Sequence, residues 1–171
     1  HFARVDQDLE LISNLNVSHY RFSIEWSRVE PEQGKWNQEA IKWYSDLVDG
    51  LLARGIQPMA TLHHFTQPLW WEDKGGFEAE ENIANWITFC KKMFEVLGSR
   101  VKWWCTINEP AVFTTMGYIL GEFPPGIRSF KRARTVALNL MRALAQCYRA
   151  LKKMPCGKEA NIGLVKNINI F

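Results

Sequence analysis

The clearest candidate for acid–base chemistry is Glu109, in the segment TINEP. Pro110 removes a backbone donor and biases Glu109 towards an extended conformation, so a strand carrying TIN would end with a carboxyl group at its rim. Strict alternation would point Asn108 and Glu109 to opposite faces, so this strand must twist or bulge if both are to reach one pocket. Taken alone, the motif is equally typical of a solvated glutamate at a strand end.

Polar residues also lie near the ends of the two preceding predicted strands. Arg21 falls in the otherwise apolar run YRFSI, where a charge must be paired, so a structural ion pair is the alternative to a role in a site. The next strand ends in His63 and His64, followed by the aromatic residues of FTQPLWW. A single core histidine bonded to backbone is common, but two histidines beside three aromatic residues favour the lip of a pocket.

Polar side chains at the carboxyl ends of successive parallel strands, ringed by aromatic residues, are what a carbohydrate site requires. The flat apolar faces of sugars stack on aromatic rings, and their hydroxyl groups need fixed donors and acceptors. The chain contains 8 tryptophans, which fits this chemistry. Five of them are expected in core packing instead: Trp36, Trp43, Trp86, Trp103 and Trp104.

Helical and strand patterns alternate along the chain. Apolar residues spaced three and four apart predict helices at 5–15, between Asn37 and Gly55, at 80–97 and at 131–153, with Asn37 as an N-cap. Runs of β-branched and aromatic residues predict strands at 17–24, 57–63, 102–108 and 161–168. Strands separated by helices imply right-handed βαβ units and a parallel sheet.

Such a sheet is either open and doubly wound or closed as a barrel. The loops after the strands are long and aromatic, the returns are short, and no glycine-rich phosphate loop follows any strand, which favours the barrel. A complete (β/α)8 barrel needs roughly 250 residues. We therefore predict an α/β fold in which residues 1–171 form one domain: a partial TIM barrel of about four parallel strands with intervening helices, truncated at both ends.

Composition narrows the possible partners. The chain of 171 residues is 47% hydrophobic and 13% aromatic, which predicts a soluble globular protein. Its formal charge of +3 comes from 21 basic and 18 acidic residues without the dense basic stripe of a nucleic-acid-binding protein. No run approaches the ~18 apolar residues of a membrane helix, and the first ten residues are too polar for a signal peptide. Neither nucleic acid nor a membrane is an expected partner.

The four cysteines are Cys90, Cys105, Cys147 and Cys156. They form no CxxC pair and show no spacing to histidine that suits zinc. Because three of them lie in apolar periodic segments, we expect buried free thiols rather than disulfides or metal ligands. The unpaired cysteines favour a cytoplasmic location.

Three ordered motifs carry a resemblance to a known family: YRFSIEWSRVEPEQGKWN, TLHHFTQPLWW and TINEP. In this order and spacing they resemble glycoside hydrolase family 1, the β-glucosidase and β-galactosidase family. The resemblance covers essentially the whole chain and about the second to fifth strands of that family's barrel. It implies a retaining β-glycosidase that hydrolyses β-glucosides or β-galactosides through a covalent glycosyl-enzyme, using two carboxyl groups and no cofactor or metal.

The resemblance also implies roles for individual residues. Glu109 would be the general acid/base, and Asn108 would hydrogen-bond the sugar 2-hydroxyl. His64 would bind a hydroxyl of the sugar in the cleaved subsite, and Arg21 would hold the nucleophile carboxylate ionised. Many relatives read HW where this chain has His64 and Phe65, so Phe65 keeps the aromatic surface but an indole donor is lost.

The family's nucleophile is a glutamate in an ENG-type motif on a later strand, and residues 1–171 contain no such motif. Glu25 is the other strand-end carboxylate, and its place in EWSR favours a structural role or one around the site rather than in it. Since the chain starts without Met and stops at Phe171 inside an apolar run, we expect a fragment that is inactive alone. The alternatives are a non-catalytic sugar-binding barrel relative and a structural half-barrel that associates with another half.

Overall fold

The computed structural model describes residues 2–168, which form one sheet of four parallel strands with helices between them. The strands are β1 (His19–Ser23), β2 (Gln57–His63), β3 (Trp103–Asn108) and β4 (Asn161–Val165). The helices are α1 (Val5–Asn14), α2 (Trp26–Val29), α3 (Gln38–Leu52), α4 (Leu69–Glu72), α5 (Ile83–Leu97), α6 (Pro110–Thr114) and α7 (Phe130–Lys152). A π-helical turn (Thr115–Ile119) follows α6 directly.

The strand order is β1-β2-β3-β4, so strands that are consecutive in the chain are neighbours in the sheet. A doubly wound sheet would show a reversal of strand order at its switch point. The sequential order confirms the predicted α/β fold, a partial (β/α)8 barrel of four parallel strands.

Helix α3 illustrates how the sequence sets the helical layer. The side chain of Asn37 accepts a hydrogen bond from the backbone amide of Ala40 at 3.1 Å, which confirms the predicted N-cap. The predicted apolar stripe of this helix is buried, and it consists of Ile41, Tyr44, Val48 and Leu51. Residues three and four apart share one face of a helix, so the stripe covers the sheet continuously.

The two faces of the sheet differ. On β1, Phe22 is 7% exposed and stacks on Tyr44 of α3 at 6.3 Å between ring centroids. Arg21 and Ser23 alternate with Phe22 and are exposed on the opposite face, which is the inner face of a barrel. The helices therefore cover the outer face only.

Trp103 does not fit the predicted core packing. It pairs with Met59 of β2, which in turn pairs with Arg21, so all three residues belong to the inner face. Trp103 is 39% exposed there, whereas Trp86 and Trp104 are fully buried among the helices. Strand pleating decides this difference, because it places neighbouring tryptophans on opposite faces.

Several predicted boundaries shift. Strand β4 ends at Val165, three residues before the predicted end, because its ladder with β3 ends where Asn108 pairs with Val165. The predicted apolar continuation at 169–171 lies outside the described residues. The short helices α2, α4 and α6 went unpredicted, since four or five residues are too few to show helical periodicity.

The cysteine prediction holds for three residues out of four. Cys90, Cys105 and Cys147 are buried free thiols, but Cys156 is exposed. Cys156 lies in the turn after α7 with a left-handed backbone (φ 62°), where no apolar face is available to cover it. No helix within residues 2–168 combines the length and apolar character needed to cross a membrane.

Candidate functional site

Two hydrogen bonds connect the carboxyl ends of the first three strands. Arg21 Nη1 donates to Asn108 Oδ1 at 3.1 Å, which joins β1 to β3. Ser23 Oγ lies 2.7 Å from His64 Nδ1, which joins β1 to the loop after β2. The tertiary structure thus brings together residues that are up to 87 positions apart in the chain.

Among the described residues, Arg21 does not form the structural ion pair that the sequence left open as an alternative. Its side chain is exposed on the inner face, and among residues 2–168 no carboxylate forms a salt bridge with it. Its partners, the amide of Asn108 and the thiol of Cys105, are both neutral, so the positive charge of the guanidinium remains available to an anion.

The end of β3 is irregular, as predicted from the need to bring Asn108 and Glu109 to one site. The register with β4 shifts between Cys105 and Asn108. Asn108 is 2% exposed, while Glu109 is half-buried and adopts a left-handed backbone with φ 43° and ψ 62°. Such a conformation in a non-glycine residue costs on the order of 1–3 kcal/mol and is concentrated at functional sites.

The predicted extended conformation of Glu109 is therefore wrong. The amide of Glu109 donates to the carbonyl of Val165 at 2.8 Å, and its carbonyl accepts from the amide of Phe113 at 3.0 Å. These two bonds require the backbone to leave β3 and start α6 at a single residue, and they outweigh the preference that Pro110 imposes. Pro110 takes the first helical position, where its missing N–H is not needed.

His64 lies in the combined field of the other candidates. Partial burial lowers its pKa first, the charge of Arg21 lowers it further, and Glu109 acts in the opposite direction. A lowered pKa leaves the imidazole neutral at neutral pH. A neutral imidazole both donates and accepts hydrogen bonds, as a contact with a sugar hydroxyl requires.

Phe65 belongs to an aromatic wall beside this polar cluster. It is half-buried with a left-handed backbone (φ 70°), and its ring lies 6.5 Å from that of Phe113 and 5.8 Å from that of Phe123. Phe113 and Phe123 were not singled out from the sequence. Neither carries a spacing signal, and their proximity to Phe65 depends on the path of α6 and the loop after it.

The predicted pocket lip is smaller than expected. His63 is 1% exposed and Trp71 is fully buried, so neither reaches a lip. Burial lowers the pKa of His63 to about 4. His64, Phe65 and Trp70 are half-buried and remain accessible in part. His63 and His64 separate in this way because adjacent residues at a strand end point in different directions.

The other carboxylates near β1 are engaged in structural contacts. Glu25 accepts hydrogen bonds from the hydroxyl groups of Ser27 and Thr66, each at 2.7 Å, and its structural role stays a prediction. Glu30 is buried and accepts from Trp26 Nε1 at 2.8 Å. Within residues 2–168, no group of three or more His, Cys, Asp or Glu side chains is placed to hold a metal ion.

A cleft of about 560 Å³ borders the other side of Glu109. It lies between α6, α7 and β4, and its lining includes Val112, Met141 and Leu164. Its lining is mostly apolar and does not include Arg21, Asn108 or His64. The polar cluster at the strand ends, rather than this cleft, is the candidate site.

The fold defines the class of protein: a barrel of the TIM type, in which active sites lie at the carboxyl ends of the strands. The family model described as Glycosyl hydrolase family 1 matches residues 1–170. The chain belongs to this family.

Individual relatives agree with this assignment. The chain is 38% identical to Beta-glucosidase A of Thermotoga maritima over 100% of its own length and 38% of that protein. It is 40% identical to the cytosolic beta-glucosidase of Homo sapiens over 85% of its own length and 32% of the relative.

Among solved structures, the beta-glycosidase from Pyrococcus horikoshii matches with a TM-score of 0.93 and 45% identity over 99% of this chain and 39% of that chain. The beta-glucosidase from Thermotoga maritima in complex with castanospermine matches with a TM-score of 0.93 and 38% identity over 98% of this chain and 38% of that chain. The chain thus spans less than two fifths of these relatives.

Proposed function

We propose that the protein containing this chain is a retaining β-glycosidase, and that Glu109 is its general acid/base. The observation that carries the proposal is the position of Glu109. Its carboxyl group follows β3 at the rim of the sheet, next to Asn108 and within the field that also affects His64. The left-handed backbone of Glu109 supports this proposal, since such conformations in non-glycine residues are concentrated at functional sites.

The contacts of Asn108 support its proposed role towards the sugar 2-hydroxyl. Because Asn108 Oδ1 accepts from Arg21, the amide nitrogen is the group left to point away from Arg21. An amide nitrogen donates hydrogen bonds, so a sugar hydroxyl oxygen is a suitable acceptor for it. Arg21 in this arrangement has two functions: it fixes the amide orientation, and it offers a positive charge to a nucleophile carboxylate.

The remaining substrate contacts are proposed for His64 and Phe65. The neutral imidazole of His64 is suited to a hydroxyl group, and the ring of Phe65 offers an apolar face without an indole donor. The relatives named above are β-glucosidases, and one solved neighbour is in complex with deoxynojirimycin. We therefore propose a β-glucoside or β-galactoside as the substrate class.

The proposed reaction has two steps. A nucleophile carboxylate attacks the anomeric carbon while Glu109 gives its proton to the departing glycosidic oxygen. Glu109 then removes a proton from water, and the water oxygen displaces the carboxylate, which restores both groups. Glu25 and Glu30 are held by structural hydrogen bonds, so the nucleophile is proposed to come from a part of the protein outside residues 1–171.

Glu109→Gln in the full-length protein tests this proposal. Hydrolysis of substrates with poor leaving groups should almost disappear, because the departing alkoxide no longer receives a proton. Substrates with good leaving groups should still form the covalent intermediate and then stall. Azide needs no general base, so it should restore turnover of these substrates and yield a β-glycosyl azide.

The same experiment can contradict the proposal in three ways. Equal losses for both leaving groups without azide rescue would make Glu109 a binding residue. An α-azide product would indicate inversion of configuration. Unchanged activity would remove Glu109 from the site. Glu122→Gln is a matched control, since Glu122 is an exposed loop glutamate outside the polar cluster.

A further inference from the structure

A partly buried chain of hydrogen bonds begins at His63, directly before the loop that carries His64 and Phe65. His63 Nε2 lies 3.0 Å from Gln67 Oε1, and Gln67 Nε2 donates to Glu72 Oε2 at 2.7 Å. The chain runs from the last residue of β2 to the last residue of α4. None of its three members belongs to the polar cluster described above.

The direction of these hydrogen bonds assigns the proton on His63. Gln67 Nε2 donates to Glu72, so the opposite end of the amide presents its oxygen to His63. An amide oxygen accepts only, and therefore His63 Nε2 carries the hydrogen and donates it. The other ring nitrogen, Nδ1, is then unprotonated, and among the described residues it has no hydrogen-bond partner.

The electrostatics agree with this assignment. Burial is the main cause that lowers the pKa of His63 to about 4, so its ring is neutral and has a single hydrogen. Burial also raises the pKa of Glu72, and the hydrogen bond from Gln67 opposes that rise by favouring the charged carboxylate. Gln67 thus joins a neutral donor to a carboxylate acceptor.

The chain closes a short loop. Residues 64–66 lie between His63 and Gln67, and this segment holds His64 with its contact to Ser23 and Phe65 in its left-handed conformation. The ring of His63 also packs edge-on against Phe113 of α6, at 5.3 Å between centroids. Phe113 donates its amide to the carbonyl of Glu109. The chain of hydrogen bonds therefore contacts both segments that carry the candidate site.

We propose that His63, Gln67 and Glu72 form a positioning device that fixes His64 and Phe65 for sugar binding. This inference rests on the proposed glycosidase function. Ser23 and Glu25 hold the outer side of this loop through His64 and Thr66. Without the bond between His63 and Gln67, the loop would lose its anchor to the end of β2, and the hydroxyl contact of His64 would lose part of its fixed direction. Positioning residues of this kind act through supporting hydrogen bonds rather than by contact with substrate.

The test uses variants of the full-length glycosidase. Gln67→Leu removes both side-chain hydrogen bonds at similar size, and Glu72→Leu removes one of them. Both should lower kcat/KM at least tenfold and weaken the binding of deoxynojirimycin, measured by calorimetry, by a similar factor. Glu72→Gln keeps an acceptor for Gln67, so kcat/KM and inhibitor affinity should stay within about twofold of wild type. If the negative charge of Glu72 were the important feature, Glu72→Gln would lower both as far as Glu72→Leu does.

Gln33→Leu is the matched control, because Gln33 is an exposed glutamine whose side chain bonds Asn85 and Lys74 rather than His63 or Glu72. It should leave both readouts unchanged. Wild-type kcat/KM and inhibitor affinity in folded Gln67→Leu would overturn the inference. If Glu109→Gln behaves as proposed and Gln67→Leu does not, the positioning device fails while the glycosidase proposal stands.

A second measurement does not depend on the variants folding or on hydrolysis. The imidazole ¹⁵N shifts of His63 in the wild-type protein at pH 7 should show a neutral ring with the hydrogen on Nε2. A hydrogen on Nδ1, or a charged ring, would reverse the donor assignment and overturn the proposed device.

Discussion

At the scale of single residues, adjacent residues at the strand ends differ in burial and in environment. His63 is enclosed by aromatic rings and neutral, while His64 is half-buried and in reach of the charges of Arg21 and Glu109. The adjacent pair Asn108 and Glu109 likewise divides, since the amide is buried against Arg21 and the carboxyl lies at the rim. Local backbone geometry at the strand ends thus decides which member of each pair is available for chemistry.

Arg21→Met should reduce turnover far more than stability. Arg21 is exposed, and its side chain bonds only neutral groups among the described residues, Asn108 and the Cys105 thiol, so its loss should change the free energy of unfolding by only about 1 kcal/mol. In the proposed site it keeps the nucleophile ionised, and each unit by which that pKa rises corresponds to about 1.4 kcal/mol. We expect kcat to fall at least tenfold, measured beside a urea unfolding curve.

The control for this variant is Arg54→Met. Arg54 is also exposed, and it donates a hydrogen bond to the carbonyl of Gly50 in α3, the helix that ends two residues before Arg54. It should keep full activity at a similar cost in stability. If Arg21→Met unfolds the protein while the folded fraction keeps its specific activity, Arg21 is a structural residue.

At the scale of the elements, the residue before each helix differs in whether its side chain caps the helix. Helix α3 begins after its N-cap residue Asn37. Helix α7 begins after Ser129, whose side chain accepts a hydrogen bond from the amide of Arg132. Helix α6 differs, because Glu109 precedes it in a left-handed conformation without a side-chain cap. The carboxyl group of Glu109 is therefore not used for capping and remains available for chemistry.

Asn37→Ala tests how far the helix cap supports the fold. It removes the acceptor for the amide of Ala40, which should lower the free energy of unfolding by about 1 kcal/mol. Asn37→Asp keeps the acceptor and adds a favourable charge at a helix N-terminus, so it should be neutral or slightly stabilising. Urea unfolding measures both. Equal losses for the two variants would show that the amide side chain of Asn37, rather than its acceptor oxygen, is the important group.

At the scale of the whole molecule, residues 2–168 cover the outer face of the sheet but leave both edges without a partner strand. Strand β1 pairs only with β2, and strand β4 pairs only with β3. The surface next to β4 is apolar, with Leu164 of the strand and Met141 and Tyr148 of α7 at least 37% exposed. Exposed edges beside apolar surface favour association with other chains.

A polypeptide of residues 1–171 produced alone should therefore self-associate. Light scattering after gel filtration should show oligomers or aggregates rather than a monomer. Leu164→Lys should shift this distribution towards smaller species, because a charge on an edge strand opposes pairing. Leu11→Lys is the control, since Leu11 is also an exposed leucine, at 65% against 37% for Leu164, but lies on α1, which precedes the strand at the opposite edge. A cooperatively unfolding, monodisperse monomer would contradict this prediction.

Local patterns in the sequence were enough to predict the alternation of strands and helices, the parallel sheet and the cap of α3. Each depends on residues within a few positions of one another, such as Asn37 and Ala40. The motifs also identified Glu109 and Asn108 as the end of a strand, together with the need for an irregular register there. Family resemblance, rather than these local rules, supplied the candidate roles of Arg21 and His64.

Only the tertiary structure decided how these residues meet. Arg21 reaches Asn108 because β1 and β3 flank β2 in one sheet, a relation between residues 87 positions apart. The left-handed backbone of Glu109 depends on its bond to Val165, which arrives from a later strand. His63 became a buried donor to Gln67 because Phe77 and Phe113 enclose it. Long-range packing sets these features, and local sequence preferences do not encode it.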